Sequence, residues 1–298
     1  MRTVLEKIRA LPGTWLVFFG TVFWSTAGGV SQMFEMDRLL LVGIRALLTG
    51  VILLPFLRPK KIVWNRYLFG LIISNTMLMG LIITAIKMST SANALALQNM
   101  APLWIFLWVF IIQKKKFSPR QFIPVAIMMT GLIAFMMEPN TGSNLLGNIL
   151  AVMAGWFFAI NTVLLQKVEG GGVLSTISLI NLCAGIIVLL PLVIAPSYEM
   201  VVPSNAWPYI IFLSSVQLAG GNFFYFMGVK KVSSQKATLL SLWEVVLTPL
   251  WAFLLIREIP TVYGWVGWLL LIFAEFADNK LMPIARNKCV EMPQQQRE

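Results

Sequence analysis

The chain has 298 residues, of which 58% are hydrophobic and only 12% are charged, and its mean hydropathy is +0.80. A soluble globular domain carries about 25% charged residues, so this composition excludes a surface covered by water and requires lipid as the surrounding solvent. Apolar runs of about 20 residues without strict alternation predict helices that span a bilayer, not barrel strands. The net charge of +11 does not indicate a nucleic-acid partner, because the lysines and arginines fall between the apolar runs.

Apolar segments follow one another along the chain with short connections, and no soluble domain fits between them. The first half holds segments at about residues 14–34, 39–57, 67–87, 92–112 and 119–137. The second half holds segments at about residues 145–166, 174–195, 206–228, 236–257 and 261–280. We therefore predict an all-α integral membrane protein with ten transmembrane helices.

The positions of the positive charges predict the orientation of these helices. With a cytoplasmic N-terminus, most of the 23 lysines and arginines fall in cytoplasmic connections, such as residues 58–66 and 114–120. An even number of helices then returns the C-terminus to the cytoplasm. The charged start of the chain and the apolar run after it show no A-x-A-like cleavage site, which favours an uncleaved first helix.

The sequence also resembles itself when it is shifted by 143 residues. Residues 85–110, AIKMSTSANALALQNMAPLWIFLWVF, then lie on residues 228–253 without a gap, so that Leu97 meets Leu240. The last three segments of the first half map onto the last three of the second, and we extend the repeat to both halves. Because five helices is an odd number, the halves must be inverted, an arrangement typical of transporters with a substrate site near the midplane.

The predicted organisation follows from this repeat. It comprises a cytoplasmic N-terminal segment, a first five-helix repeat, a linker, a second five-helix repeat and a cytoplasmic tail, at residues 1–13, 14–137, 138–144, 145–280 and 281–298.

Several stretches resemble the drug/metabolite transporter superfamily, in its EamA type. They are Trp-Ser-Thr at 24–26, Arg45, TSANALALQNMAPLW at 90–104 and SSQKATLLSLWEVVLTPLWAFLLIREIPT at 233–261. The chain departs from the family pattern at Val245, where proline is usual, and at Lys115, where the first half often has glutamate. The resemblance implies ten helices, a central cavity and secondary transport of small metabolites, without fixing the substrate.

Glu244 is a carboxylate near the middle of an apolar segment, where a charge is costly. It indicates a proton or cation coupling site, or a counter-ion for a substrate amino group. The alternative is a buried carboxyl that only holds helices together. On a continuous helix Ser241 and Thr248 share its face. Arg45, in the second segment, is a candidate counter-ion that pairs with an acidic side chain or holds a substrate carboxylate. A structural ion pair or snorkelling to the outer interface is the other interpretation.

Neutral polar side chains at membrane depth either line a substrate cavity or form hydrogen bonds between helices. The 143-residue shift places Gln98 on Ser241 and Ser74 on Gln217, which favours a cavity shared by the two halves. Tryptophans beside them offer walls for a flat or cationic substrate, or simply pack. The candidate substrate-binding residues are Trp24, Ser74, Asn75, Gln98, Asn161, Asn181, Gln217, Asn222, Ser241 and Trp243.

These residues predict a secondary active transporter, not an enzyme. The chain contains no histidine and no G-x-x-x-x-G-K-[ST] loop, so we expect no metal, no cofactor and no direct use of ATP. The expected cargo is a small polar metabolite, an amino acid or amine, exported by alternating access, with proton coupling as one option. Uptake of a metabolite or quaternary amine is the alternative, and a non-transporting membrane protein is the rival class.

The expected partners are a small-molecule substrate and membrane lipids, with no nucleic acid. The expected assembly is a monomer or weak homodimer, and the expected location is the cell (plasma or inner) membrane, which the chain crosses several times.

Overall fold

The computed structural model describes residues 2–31, 33–88, 91–111, 119–137, 145–194, 200–257 and 262–281. Regular structure in these ranges is helical, apart from an isolated antiparallel bridge between Ile62 and Gly170. Four helical segments of the described chain are long and apolar enough to span a membrane: Leu145–Lys167, Val173–Ile194, Ser204–Val229 and Ser234–Leu255. Five shorter apolar helices accompany them. The prediction of an all-helical membrane protein is thus confirmed.

The helices follow the predicted apolar segments closely. Those of the first half are α1 (Arg2–Ala10), α2 (Gly13–Ser31), α3 (Arg38–Ile52), α4 (Arg66–Met88), α5 (Ser91–Gln98), α6 (Ala101–Ile111) and α7 (Pro119–Met136). Those of the second half are α8 (Leu145–Lys167), α9 (Val173–Ile194), α10 (Trp207–Phe212), α11 (Gly221–Val229), α12 (Ser234–Ser241), α13 (Trp243–Ile256) and α14 (Val262–Leu281). Short 3-10 turns lie at Leu54–Phe56, Pro59–Lys61 and Ser204–Ala206, and a π-helical segment at Leu213–Gly220 joins α10 to α11.

Two predicted helices are broken in the middle, which the sequence analysis did not expect. Residues 99–100 separate α5 from α6, and Leu242 separates α12 from α13. Pro102 explains the first break, because a proline has no N–H for the preceding turn and is favoured at a helix start. At the second break the Leu242 N–H donates to Leu239 O at 3.1 Å, a tight 3-10 bond that ends the helix.

The N-terminal segment also differs from the expectation. Residues 2–10 were expected only as a charged cytoplasmic stretch, but they form the helix α1, on which Lys7 and Arg9 are exposed. Apolar and charged residues alternate here with a helical period, so one side of α1 is apolar.

The 143-residue shift relates the two halves in the structure as well. It carries the bounds of α5 onto those of α12 residue for residue, and the first residue of α7 onto the first residue of α14. The first long helix of each half packs on helices of the other half: α2 packs on α11 and α13, and α8 packs on α4, α5 and α6. Between the halves, α3 packs on α9 and α7 packs on α14. The second half therefore repeats the helix–break–helix element and the helix pairing of the first.

Glycines bring the paired helices close together. A Cβ atom at Gly20 of α2 would lie 2.9 Å from Gly221 O of α11, and a Cβ at Gly155 of α8 would lie 2.6 Å from Gln98 O at the end of α5. Because lipid gives helices little hydrophobic reason to associate, such small residues supply the close van der Waals contact that holds them. As a result α2 packs directly against α11, and α8 packs directly against the first broken helix.

Hydrogen bonds close one end of the bundle. Gln166 of α8 donates to the Val229 and Val232 carbonyls at 3.0 and 2.7 Å, and it accepts from Ser234 Oγ at 2.6 Å. Lys231 Nζ donates to Leu11 O at 2.9 Å. The end of α8 and the start of α2 are therefore tied to the turn between α11 and α12.

Candidate functional site

Glu244 lies in the first turn of α13, directly after the break at Leu242. Its carboxylate interacts electrostatically with the guanidinium of Arg45 on α3, and both side chains are half-buried. Within the described residues these two groups form no direct ion pair. The break also separates Glu244 from Ser241, which belongs to α12, so the shared helical face that the sequence suggested does not extend across Leu242. The opposite charges on α3 and α13 thus influence each other without forming a direct ion pair.

Gln217 links Arg45 to the helix that carries Trp24. The Gln217 side chain is buried on the π-helical segment, where its Oε1 accepts from Arg45 Nη1 at 3.3 Å and its Nε2 donates to Trp24 O at 3.3 Å. Thr49 holds α3 to the same segment by donating to Ser214 O at 2.8 Å. A π-helix is rare and recurs at functional sites, so this π-helical segment supports a functional site around Gln217.

Tyr225 of α11 forms an aromatic wall with Trp24 and Phe158. Its ring centroid lies 4.6 Å from that of Trp24 and 6.0 Å from that of Phe158. Its hydroxyl is 2.9 Å from Thr162 Oγ1, and the ring is close enough to Glu244 for the hydroxyl to sense its charge. The Tyr225 side chain is fully buried. It therefore joins α8 to Trp24 of α2.

The sequence analysis missed Tyr225, although a signal for it existed. It lies within the apolar segment 206–228, three residues after Asn222, and so on the same helical face.

A second contact missed from the sequence fixes α13 against α2. Trp251 Nε1 donates to Ser25 Oγ at 2.9 Å. Thr248 Oγ1 donates to Glu244 O at 2.7 Å and lies 3.5 Å from Ser25 O. These bonds fix the position of the first turns of α13 along α2. Glu244 lies in the first of these turns and is fixed with them.

Two buried donors at the site, Arg45 Nε and Trp24 Nε1, have no hydrogen-bond partner among the described residues. Four further buried atoms without a partner lie on α4, α6 and α9 and at the break between α5 and α6, namely Asn75 Nδ2, Trp104 Nε1, Asn181 Oδ1 and Asn99 Oδ1. Leaving such a group unsatisfied costs about 1–3 kcal/mol. Water or a polar solute normally supplies the missing bond, so the two donors at the site indicate a place that a polar solute can occupy.

The other candidate residues occupy the helix interfaces around this centre. Asn161 of α8 donates to Asn75 of α4 at 3.5 Å, and both side chains are buried. The Ser74 and Ser241 hydroxyls and the Asn181 amide donate to carbonyls of their own helices. Such bonds satisfy the two serine hydroxyls locally, which accounts for their burial without a partner on another helix, whereas the Asn181 Oδ1 atom stays without a partner among the described residues.

The remaining three candidates have no polar contact among the described residues. Asn222 is buried, Gln98 is half-buried, and Trp243 packs edge-on against Phe18 with the ring centroids 5.4 Å apart. The structure therefore brings together four of the residues singled out from the sequence, namely Trp24, Arg45, Gln217 and Glu244.

A cavity of about 460 Å³ opens on the side of the bundle, away from these four residues. Its lining is almost wholly apolar and consists of Leu97, Trp104, Asn148, Ile149, Val152, Met153 and Trp156. Ile149, Met153 and Trp156 are exposed, so this cavity faces the surrounding apolar medium. The described residues contain no group of three or more Cys, Asp or Glu side chains arranged to hold a metal ion.

Comparisons with known proteins match the chain along its length. The model of the EamA-like transporter family matches residues 11–137 and 145–276. A protein of Methanothermobacter thermautotrophicus, named an uncharacterized transporter, is 21% identical over 183 residues, which are 60% of this chain and 53% of that protein. The chain thus spans about half the length of this relative. A crystal structure of another protein, 14% identical, superimposes with a TM-score of 0.74 over 91% of this chain and 97% of that one, which shows a shared fold.

Proposed function

Because the chain belongs to the EamA-like transporter family, we propose that it is a secondary active transporter with its substrate site around Glu244 and Arg45. Membership confirms the resemblance found in the sequence, and the chain is a multi-pass membrane protein. The proposed architecture is ten transmembrane helices in two inverted repeats, with both termini in the cytoplasm of a cell whose plasma or inner membrane it crosses. The double family match and the 143-residue relation between helix bounds support the repeat.

The proposed cargo is a small zwitterion, with an amino acid as its simplest form. One observation carries this choice: Glu244 and Arg45 interact electrostatically without a direct ion pair. A carboxylate on the cargo can accept from the guanidinium, whose Nε has no partner, while an ammonium group can donate to Glu244. A purely cationic or purely anionic cargo would pair with one of the two charges and leave the other uncompensated.

The aromatic wall supplies a place for the rest of the cargo. Trp24 and Tyr225 lie beside the charged pair, with their ring centroids 4.6 Å apart. Aromatic faces attract a cationic group and cover an apolar one. We therefore expect amino acids with an apolar or aromatic side chain to bind better than those with a charged side chain.

Competition at Glu244 offers a route to coupling. A proton and the ammonium group of the cargo both require the same carboxylate. If the two halves rock around the midplane, cargo released outside is replaced on Glu244 by a proton, which leaves on the inner side before the next cargo binds. This cycle is a proton-coupled export by alternating access, and its direction is set by the proton gradient.

The test is transport by the purified protein in liposomes. We expect counterflow of an unmodified apolar amino acid, and little counterflow of its methyl ester, which lacks the carboxylate, or its N-acetyl derivative, which lacks the ammonium group. Equal counterflow of all three would contradict the zwitterion site. No counterflow of any amino acid, amine or other small metabolite would contradict the transporter assignment itself.

A further inference from the structure

Two cations from different helices converge on the ring of Tyr67. Arg66, at the start of α4, has its Cζ 5.0 Å from the ring centroid, and Lys167, at the end of α8, has its Nζ 5.4 Å from the same point. Arg66 Nη2 also donates to the Tyr67 hydroxyl at 3.1 Å. The ring attracts both cations, but the two positive charges repel each other. An anion placed between them would relieve that repulsion.

Carboxylates do not fill this role in the structure. Within the described ranges neither Arg66 nor Lys167 forms an ion pair. Glu169 follows Lys167 closely in sequence, but it is exposed and forms no ion pair with Lys167, and its charge also acts on Lys230. Three more exposed cations, Arg58, Lys60 and Lys61, precede α4 on the same connection. The segment therefore carries a positive charge that the described chain leaves uncompensated.

A glycine turn fixes this segment in place. Gly170, Gly171 and Gly172 have φ values of 75°, 59° and 86°, a conformation that residues with a Cβ rarely adopt. The Gly171 N–H donates to Lys61 O, and Ile62 pairs with Gly170 in the antiparallel bridge. The turn after α8 thus holds the basic connection beside Lys167 before any ligand arrives, so binding needs little ordering of the chain.

Exposed aromatic rings place the cluster at the membrane–water interface. Trp64 and Phe69 are 56% and 52% exposed, with ring centroids 5.5 Å apart, as is typical of residues at headgroup depth. The shift of 143 residues carries them onto Trp207 and Phe212, which are also exposed, but residues 201–209 contain no lysine or arginine. The aromatic pair is common to both halves, whereas the cations of residues 58–66 have no counterpart in the second half.

We propose that Arg66, Lys167 and the Tyr67 hydroxyl bind the phosphate group of an anionic phospholipid. A guanidinium and an ammonium both donate to phosphate oxygens, and basic pockets between helices on the cytoplasmic side take up acidic head groups. The acyl chains would lie along Phe69 on the lipid-facing side of α4. Arg58, Lys60 and Lys61 attract the membrane surface as a whole.

Native mass spectrometry of the purified protein, incubated with phosphatidylglycerol or phosphatidylcholine, tests this proposal. We expect Arg66→Gln/Lys167→Gln to retain phosphatidylglycerol about tenfold less well than the unmodified protein, with no change for phosphatidylcholine. The control Lys7→Gln/Arg9→Gln removes the same charge from α1 and should retain phosphatidylglycerol normally. An equal loss in both double variants would show that net charge alone attracts the lipid, and it would overturn the site.

Two further measurements separate the remaining explanations. Tyr67→Leu keeps every charge but removes the ring and hydroxyl that organise them, so it should also lose the preference for phosphatidylglycerol; a normal preference would overturn the proposed geometry. Inorganic phosphate should fail to displace bound phosphatidylglycerol. Displacement would assign the site to a soluble phosphate and overturn the lipid assignment.

Discussion

The two broken helices share their backbone but differ in their charge. The shift of 143 residues places the end of α5 at Gln98 on the end of α12 at Ser241, and it places Ala101 on Glu244. Both helices restart after the break, yet the carboxylate occurs only in the second half. Both halves therefore share the same broken-helix backbone. They differ at one aligned position, where the first half has Ala101 and the second half has Glu244. The proposed function depends on that asymmetry.

Adding a carboxylate to the first break should have the largest effect. Ala101 is fully buried, and α9, the counterpart of α3 in the second half, has no lysine or arginine to match Arg45. An unpaired charge buried there costs several kcal/mol. We expect Ala101→Glu to unfold at a clearly lower temperature than Ala101→Gln, which has the same size without the charge. Equal melting temperatures for the two variants would mean that the two breaks tolerate a carboxylate alike.

Removing the carboxylate from the second break should sharply reduce proton-coupled transport. Glu244→Gln keeps the shape and can still form hydrogen bonds, but it cannot exchange a proton or hold an ammonium group as a charged pair. A charged hydrogen bond contributes about 1.5–3 kcal/mol, so we expect flux driven by a pH gradient to fall by roughly ten- to a hundredfold. Glu169→Gln, at an exposed carboxylate, is the matched control. Normal pH-driven flux in Glu244→Gln would remove Glu244 from the coupling mechanism.

Arg45, on α3, should control recognition of the cargo carboxylate, since it carries the charge opposite to that of Glu244. Arg45→Gln should raise the KM for an amino acid by about tenfold, as expected when one charged hydrogen bond is lost. Arg45→Lys should restore part of the affinity, because it keeps the charge but loses the planar fork. If Arg45→Gln lowered kcat with no change in KM, Arg45 would be a structural partner of Glu244 instead of a ligand for the cargo.

The smallest effect is expected at the aromatic wall. Tyr225→Phe and Thr162→Val each remove the same hydrogen bond, worth about 1 kcal/mol, and each should lower the melting temperature by a few degrees. The double variant should cost less than the sum of the two single changes, because the residues share one interaction. Strictly additive losses would show that Tyr225 and Thr162 act independently.

The helices could be predicted from sequence because lipid leaves the backbone few alternatives. The same physics made Glu244, Arg45 and Gln217 visible, since polar residues stand out in apolar runs. Tyr225 did not stand out, because its ring suits an apolar helix and only its contact with Thr162 shows that the hydroxyl is used. The break at Leu242 left no mark of its own, since neither proline nor glycine occurs there. Both α12 and α13 pack on α2, a long-range contact that the local sequence does not show, whereas Pro102 was a local signal for the first break.

Because Gln217 lies in the π-helical segment, its position along α3 would change with the pitch of its own helix. A π turn holds one more residue than an α turn of the same kind, so tightening a single turn would advance the helix beyond it and rotate Gln217 away from α3. A Cβ at Gly220 would meet only Phe23, at 3.8 Å, whereas a Cβ at Gly221 would collide with Trp24 Cδ1, so such a slip has room beside Gly220 but must also move Trp24. The hydrogen bond from Arg45 to Gln217 then restrains the rotation of this helix. If a cargo carboxylate drew the guanidinium away from Gln217, this restraint would be lost. The helix from Gln217 to the turn that Gln166 binds would then be free to rotate.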